Sequence, residues 1–167
     1  MSEKKSIFTN ISIISGITCA AISLIVIFLS GSPLDMLHKT NESNAVPPIW
    51  VWGISSIVFS FLAGYAAGIL IGNMFCGRIK GGIESSAYIG LIFFVILLFL
   101  SNLHYPLFFV AERFIISLLI AILAFASAIA CAIFWAKPSP LSTVLISIFS
   151  LWLIYVAFVN VCILLKL

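Results

Sequence analysis

The chain has 167 residues, of which 63% are hydrophobic and only 8% are charged, and its formal net charge is +3. This composition excludes an ordinary soluble domain, in which about 25% of the residues are charged, and indicates an integral membrane protein. We expect the few basic residues to meet anionic lipid headgroups, so the lipid bilayer is a predicted partner and nucleic acid is not.

The charged residues are confined to short clusters, which divide the chain into five long uncharged stretches. Each stretch exceeds the roughly 20 residues with which a helix crosses about 30 Å of hydrocarbon. Continuous apolar runs also argue against a β-barrel, whose strands alternate. The sequence predicts one all-α integral membrane domain, residues 1–167, a bundle of five transmembrane helices at about residues 7–30, 48–75, 86–110, 114–136 and 140–165.

The first stretch could be a secretory signal peptide, because Lys4 and Lys5 precede an apolar run. That run is longer than the usual core of about 7–15 residues, so we predict a retained first helix. The loop that follows, residues 31–47, carries His38 and Lys39, which we expect to act as a lid over a pocket. Five of the eight Lys and Arg residues fall on the N-terminal side, which predicts a cytoplasmic N-terminus.

The second predicted helix begins with Trp50 and Trp52 and continues with a row of small residues. The row recurs every four positions: Ser56, Ser60, Gly64, Gly68 and Gly72. Small residues let two helices approach closely. Two explanations stay open, packing inside the bundle or contact with a second copy in a homodimer. The fourth predicted helix offers a rival homodimer face, formed by Ala121, Ala124, Ala128 and Ala132.

Polar and aromatic residues collect in one half of the membrane. They include Trp50, Trp52 and Ser56 from the second predicted helix, Asn102, His104 and Tyr105 from the third, and Trp152 and Asn160 from the fifth. Small-molecule sites are mostly apolar with a few convergent polar groups, so this half is the predicted ligand pocket. The alternative for Trp50, Trp52 and Tyr105 is an aromatic belt at the membrane interface. For Asn102 and Asn160 it is hydrogen bonding between helices.

The predicted spans lack the residues on which several other functions depend. No Asp, Glu, Lys or Arg lies inside them, although ion-coupled transporters usually need one there. The four cysteines stand singly, and the two histidines, His38 and His104, are not at metal-ligand spacing. We therefore expect neither a metal site nor a required cofactor.

Three short motifs follow one another along the chain. They are Pro47-Pro48 with Trp50-Val51-Trp52, Asn102 with Tyr105 and the pair Phe108-Phe109, and Trp152 with Asn160 eight residues later. In this order they resemble the tryptophan-rich sensory protein or translocator family (TspO/MBR). The resemblance implies a five-helix bundle, here expected in a bacterial cell membrane. It also implies that Trp50, Asn102, Trp152 and Asn160 match site positions of the family, and it adds Phe108 to the ligand-binding set.

The resemblance implies a receptor or carrier for porphyrins, haem or other aromatic ligands, with sterols as a further ligand class, linked to tetrapyrrole handling and stress. Ser56 stands where the family has a second Trp. We expect this departure to enlarge the cavity, and it argues against light-driven porphyrin breakdown, so no enzyme activity is predicted. The second hypothesis is a structural or accessory membrane subunit that docks a partner protein through the small-residue helix faces.

Overall fold

A computed structural model describes residues 2–30 and 49–165. These residues form five α-helices and no strand: α1 (Ser2–Leu29), α2 (Ile49–Phe75), α3 (Ile83–Phe109), α4 (Phe114–Trp135) and α5 (Pro140–Leu164). All five are long and apolar enough to cross a membrane. The predicted all-α fold with five membrane-spanning helices is confirmed. The loop at residues 31–47, predicted as a lid, lies outside the described residues.

The helices follow from the demands that hydrocarbon makes on a polypeptide backbone. Every buried N–H and C=O needs a partner there, and a helix supplies it within one segment. α1 begins at Ser2, five residues before the predicted start at residue 7. Its apolar span is Ile7–Leu29, so the extra residues belong to the charged N-terminal segment. The connection from α2 to α3 turns through Gly77 and Gly81, whose φ angles of 66° and 70° suit glycine.

The helices form a ring in the order α1, α2, α5, α4, α3. The extensive contacts are those of α1 with α2, α2 with α5, α5 with α4 and α4 with α3. A much thinner contact between α1 and α3 closes the ring. The seam between α1 and α3 is consequently the least tightly packed junction between neighbouring helices.

The glycine row of α2 faces α1. A Cβ atom placed on Gly68 would lie 2.6 Å from the Cα of Ser12, and one on Gly64 would lie 2.6 Å from the carbonyl oxygen of Ser15. On Gly72 it would lie 2.7 Å from the Phe8 ring. The row therefore allows α1 to approach α2 closely, as small residues do in membrane helix pairs. This face is covered within the chain and is not open to a second copy.

The alanine row of α4 is covered as well. Ala121, Ala124 and Ala128 are at most 1% exposed, and Ala132 packs against the same core. Both faces on which the accessory-subunit hypothesis was based are thus occupied by neighbouring helices of the same chain. A homodimer stays a prediction, with neither row as its contact surface.

The buried core has two parts. One surrounds Leu97 and Trp135, and the other surrounds Trp52 and Phe108 where α2 begins and α3 and α5 end. The outer surface carries large apolar side chains such as Ile92, which is 61% exposed. Such a surface suits contact with lipid chains, and the second part of the core lies in the membrane half where the sequence places its polar and aromatic residues.

Candidate ligand-binding cavity

An aromatic cluster fills the half of the bundle where α2 begins. Trp52 stands at its centre, with 2% of its surface exposed. Its ring centroid lies 5.4 Å from that of Trp152, 5.5 Å from that of Phe109 and 5.7 Å from that of Phe108. Trp152 stacks on Phe59, with ring centroids 5.1 Å apart and planes at 13°. Aromatic pairs attract at these separations, so rings from α2, α3 and α5 form one continuous cluster.

A small cavity lies beside this cluster, and all five helices line it. Its walls include Ser23 from α1, Trp52 and Ser56 from α2, Asn102 and Tyr105 from α3, Ala124 from α4 and Trp152 from α5. Its volume is about 40 Å³. About 10–15 Å³ of such space holds one water molecule, whereas pockets for drug-sized ligands measure about 300–1,000 Å³. The structure therefore shows the cavity in a closed form.

A hydrogen-bonded group, which we call the serine–asparagine node, joins three helices at the cavity wall. It consists of Ser23, Ser60 and Asn102. The Asn102 amide nitrogen donates to the carbonyl oxygen of Leu98 at 2.8 Å, which fixes the amide orientation. The Ser23 hydroxyl donates to Asn102 Oδ1 at 3.0 Å. Since Ser23 has a single proton, the 2.7 Å contact between the two serine oxygens requires Ser60 to be the donor.

A second buried polar pair joins α3 to α5. The Asn160 amide nitrogen donates to the carbonyl oxygen of Val156 at 2.8 Å and lies 3.1 Å from His104 Nε2. An amide N–H can only donate, so Nε2 is the acceptor and the His104 proton is on Nδ1. The imidazole is therefore neutral, and its Nε2 lone pair is already used by Asn160.

Three buried polar atoms in this half of the bundle have no hydrogen-bond partner among the described residues. They are the indole Nε1 of Trp52, the hydroxyl Oγ of Ser117 and the amide Oδ1 of Asn160. Buried polar groups in folded proteins are nearly always paired. Trp52 is among the residues that line the cavity, and its indole N–H is an unused hydrogen-bond donor.

The sequence profile of the TspO/MBR family matches residues 15–165. The chain belongs to the TspO/MBR family. The match spans all five helices, and it confirms the resemblance drawn from the three motifs. Neither a curated protein nor a solved structure matches the chain. Family membership and five apolar helices establish this TspO/MBR chain as an integral membrane protein, and they support a general role in ligand binding or transport at the membrane.

The structure brings most of the predicted site residues of the TspO/MBR chain together. Five of them line the cavity: Trp52, Ser56, Asn102, Tyr105 and Trp152. Phe108 is fully buried behind the cavity wall, where it packs on Trp52 and His104. Asn160 is also fully buried, and it is bonded to two residues of the cavity wall, His104 and Val156. Asn102 combines both roles considered for it, since it lines the cavity and bonds to another helix.

Trp50 is the predicted site residue that the structure places elsewhere. It is 66% exposed and does not line the cavity, although the family motif pointed to it. Its position at the start of α2 fits the aromatic-belt alternative. The lid residues His38 and Lys39 lie outside the described residues. The helix-packing residues Gly64, Gly68 and Gly72 contact α1, as described above.

Sequence reasoning missed the contribution of α1 to the cavity. Ser23 and Val26 line it, and Ser23 anchors the serine–asparagine node. Ser23 itself was the signal, because polar residues within a membrane span tend to face the bundle interior. Ala121 and Ala124 also line the cavity, although the small-residue pattern had suggested only a homodimer face for them.

Proposed function

We propose that this TspO/MBR protein is a membrane receptor or carrier that binds a flat, hydrophobic aromatic ligand of the porphyrin type in the cavity between its helices. The observation that carries the proposal is the Trp52–Trp152 pair at the cavity wall, with ring centroids 5.4 Å apart and an unpaired indole N–H. Flat rings gain from stacking on such side chains, while the N–H selects a ligand that presents an acceptor.

Ligand binding requires the closed cavity to open. A volume of about 40 Å³ is far below the roughly 300 Å³ at which pockets for drug-sized ligands begin. Trp152 and Asn102 are only partly buried, and the seam between α1 and α3 is thinly packed. In this proposal the Asn102 side chain moves outward, while Trp52 and Trp152, each in contact with several other rings, stay in place as stacking surfaces.

The proposed mode of binding is stacking and hydrogen bonding rather than iron ligation. Among the described residues, His104 is the histidine that lines the cavity, and its Nε2 already accepts a hydrogen bond from Asn160. In this proposal the serine, asparagine and tyrosine side chains of the cavity act through hydrogen bonds. A metal-free porphyrin should consequently bind as well as its iron complex.

Titration of the detergent-purified protein with protoporphyrin IX, followed by porphyrin absorbance, tests this function. Binding should saturate, and Trp152→Phe should weaken it about threefold to tenfold, since an aromatic pair contributes about 0.5–1.5 kcal/mol beyond area burial. Trp50→Phe is the matched control, because Trp50 is exposed and lies outside the cavity. Non-saturating binding, or the same dissociation constant in all three proteins, would show that the cavity is not the ligand site.

A further inference from the structure

A second concavity lies on the outer face of the bundle, at the seam between α1 and α3. We call it the lateral groove. It holds about 380 Å³ and is lined by Ile22, Val26, Leu98, Phe99, Asn102, Leu103 and Pro106. Ile22 and Phe99 are 42% and 66% exposed, and both lie within membrane-spanning stretches. The groove therefore opens toward the lipid chains, and Asn102 is the single polar residue among the described residues that line it.

The lateral groove and the cavity share a wall. Val26 and Asn102 line both spaces, so moving these two side chains would join them. The hydrogen bond between the two helices at this wall is the one from Ser23 to Asn102 Oδ1. Among the described residues, one neutral hydrogen bond thus crosses this wall, at the most thinly packed junction of the ring.

A backbone weakness in α3 coincides with this wall. Proline has no N–H, so Pro106 cannot donate the helical hydrogen bond to the carbonyl oxygen of residue 102, four positions earlier. Residue 102 is Asn102, the residue that carries the hydrogen bond across the seam. Interruptions of this kind are the usual sites at which helices bend. The hydrogen bond across the seam and the interruption in the α3 backbone thus fall on the same residue.

We propose that the aromatic ligand reaches the cavity sideways from the bilayer, through the lateral groove. The Ser23–Asn102 hydrogen bond is the latch, and the interruption at Pro106 is the hinge. This proposal rests on the proposed function. The volume of the groove, about 380 Å³, is already that of a ligand pocket, and its apolar lining suits a ring system dissolved in lipid. The groove can hold the ligand before the closed cavity opens.

Rapid mixing of phosphatidylcholine proteoliposomes with protoporphyrin IX tests this route. Pro106→Ala restores the missing helical hydrogen bond, and Leu103→Trp fills the groove without touching the cavity. We expect each variant to slow association and dissociation about tenfold, while the dissociation constant changes by less than about twofold, because only the barrier is altered. Ile92→Trp, on the same helix but away from the groove, is the control and should leave both rates unchanged.

The outcomes separate this proposal from the one on which it rests. If the parent protein binds the porphyrin and both groove variants keep its rates, the ligand enters elsewhere and the lateral route is wrong while the binding function stands. If Ile92→Trp slows binding as much as Leu103→Trp, the effect belongs to the membrane surface and the route is also wrong. Absence of saturable binding in the parent would overturn both proposals.

Discussion

Gly68→Ala should lower the free energy of unfolding by about 2 kcal/mol. The new Cβ would lie 2.6 Å from the Cα of Ser12, which is backbone and cannot rotate away. Overpacking of this kind costs about 1–3 kcal/mol, with the upper end expected against backbone. Alanine returns about 1 kcal/mol through its better helix propensity. The larger Gly68→Leu should separate α1 from α2 and prevent folding. If the row docked a partner protein instead, the same substitution would leave the chain folded and abolish only that complex.

Thermal unfolding in detergent, followed by near-UV circular dichroism, measures the effect. Gly53→Ala is the matched control on the same helix, because no atom lies within 4 Å of the position its Cβ would take. It should keep or slightly raise the stability. Gly72→Ala should fall between the two, since its neighbour is the movable Phe8 ring. Equal stability of the Gly68 and Gly53 variants would mean that α1 does not pack on the glycine row.

Trp52→Ala should destabilise the protein by about 3–5 kcal/mol, the usual cost of truncating a buried Trp. The substitution removes the ring that joins Trp152, Phe108 and Phe109. It also removes the proposed stacking surface and its N–H, so porphyrin affinity should fall by more than the tenfold upper limit expected for Trp152→Phe. The neighbouring rings belong to α3 and α5. We therefore expect that they do not move into the space left by Trp52.

Trp50→Ala is the control for this prediction, two residues away on the same helix. Trp50 is 66% exposed, against 2% for Trp52. Its removal should change the stability and the affinity little, apart from a weaker anchor at the membrane interface. Unfolding in detergent and porphyrin titration of both variants decide the matter. A larger loss in Trp50→Ala than in Trp52→Ala would show that the two side chains have been assigned to the wrong faces of α2.

The contrast between these tryptophans shows where sequence reasoning ends. Residues two apart on a helix are separated by about 200°, so Trp50 and Trp52 point in nearly opposite directions. In a soluble helix a polar face would indicate which one is buried. Here the lipid and the core are both apolar, so the helix is hydrophobic all round and its composition does not mark the inner face. The number of spans was predictable because charge clusters delimit them.

The partner of the glycine row was likewise beyond the sequence. Spacing by four predicts a close helix contact but does not identify the second helix, and the structure shows that it is α1. The size of the cavity beside Ser56 could not be read from the sequence either. Trp52 lies one turn earlier on the same face, and the space beside it is about 40 Å³. The partner of the glycine row and the size of the cavity both depend on how side chains far apart in the sequence pack together.

Porphyrin binding to a protein with a filled cavity is the decisive measurement for the proposed site. Ser56 lines the cavity and Ser55 does not, so Ser56→Phe and Ser55→Phe place the same ring on neighbouring positions of α2. Thermal unfolding checks that both variants are folded, and protoporphyrin IX is then titrated against each. We expect Ser56→Phe to lose saturable binding and Ser55→Phe to bind like the parent, because only position 56 lines the cavity. Parent-like binding by a folded Ser56→Phe protein would contradict the proposed site.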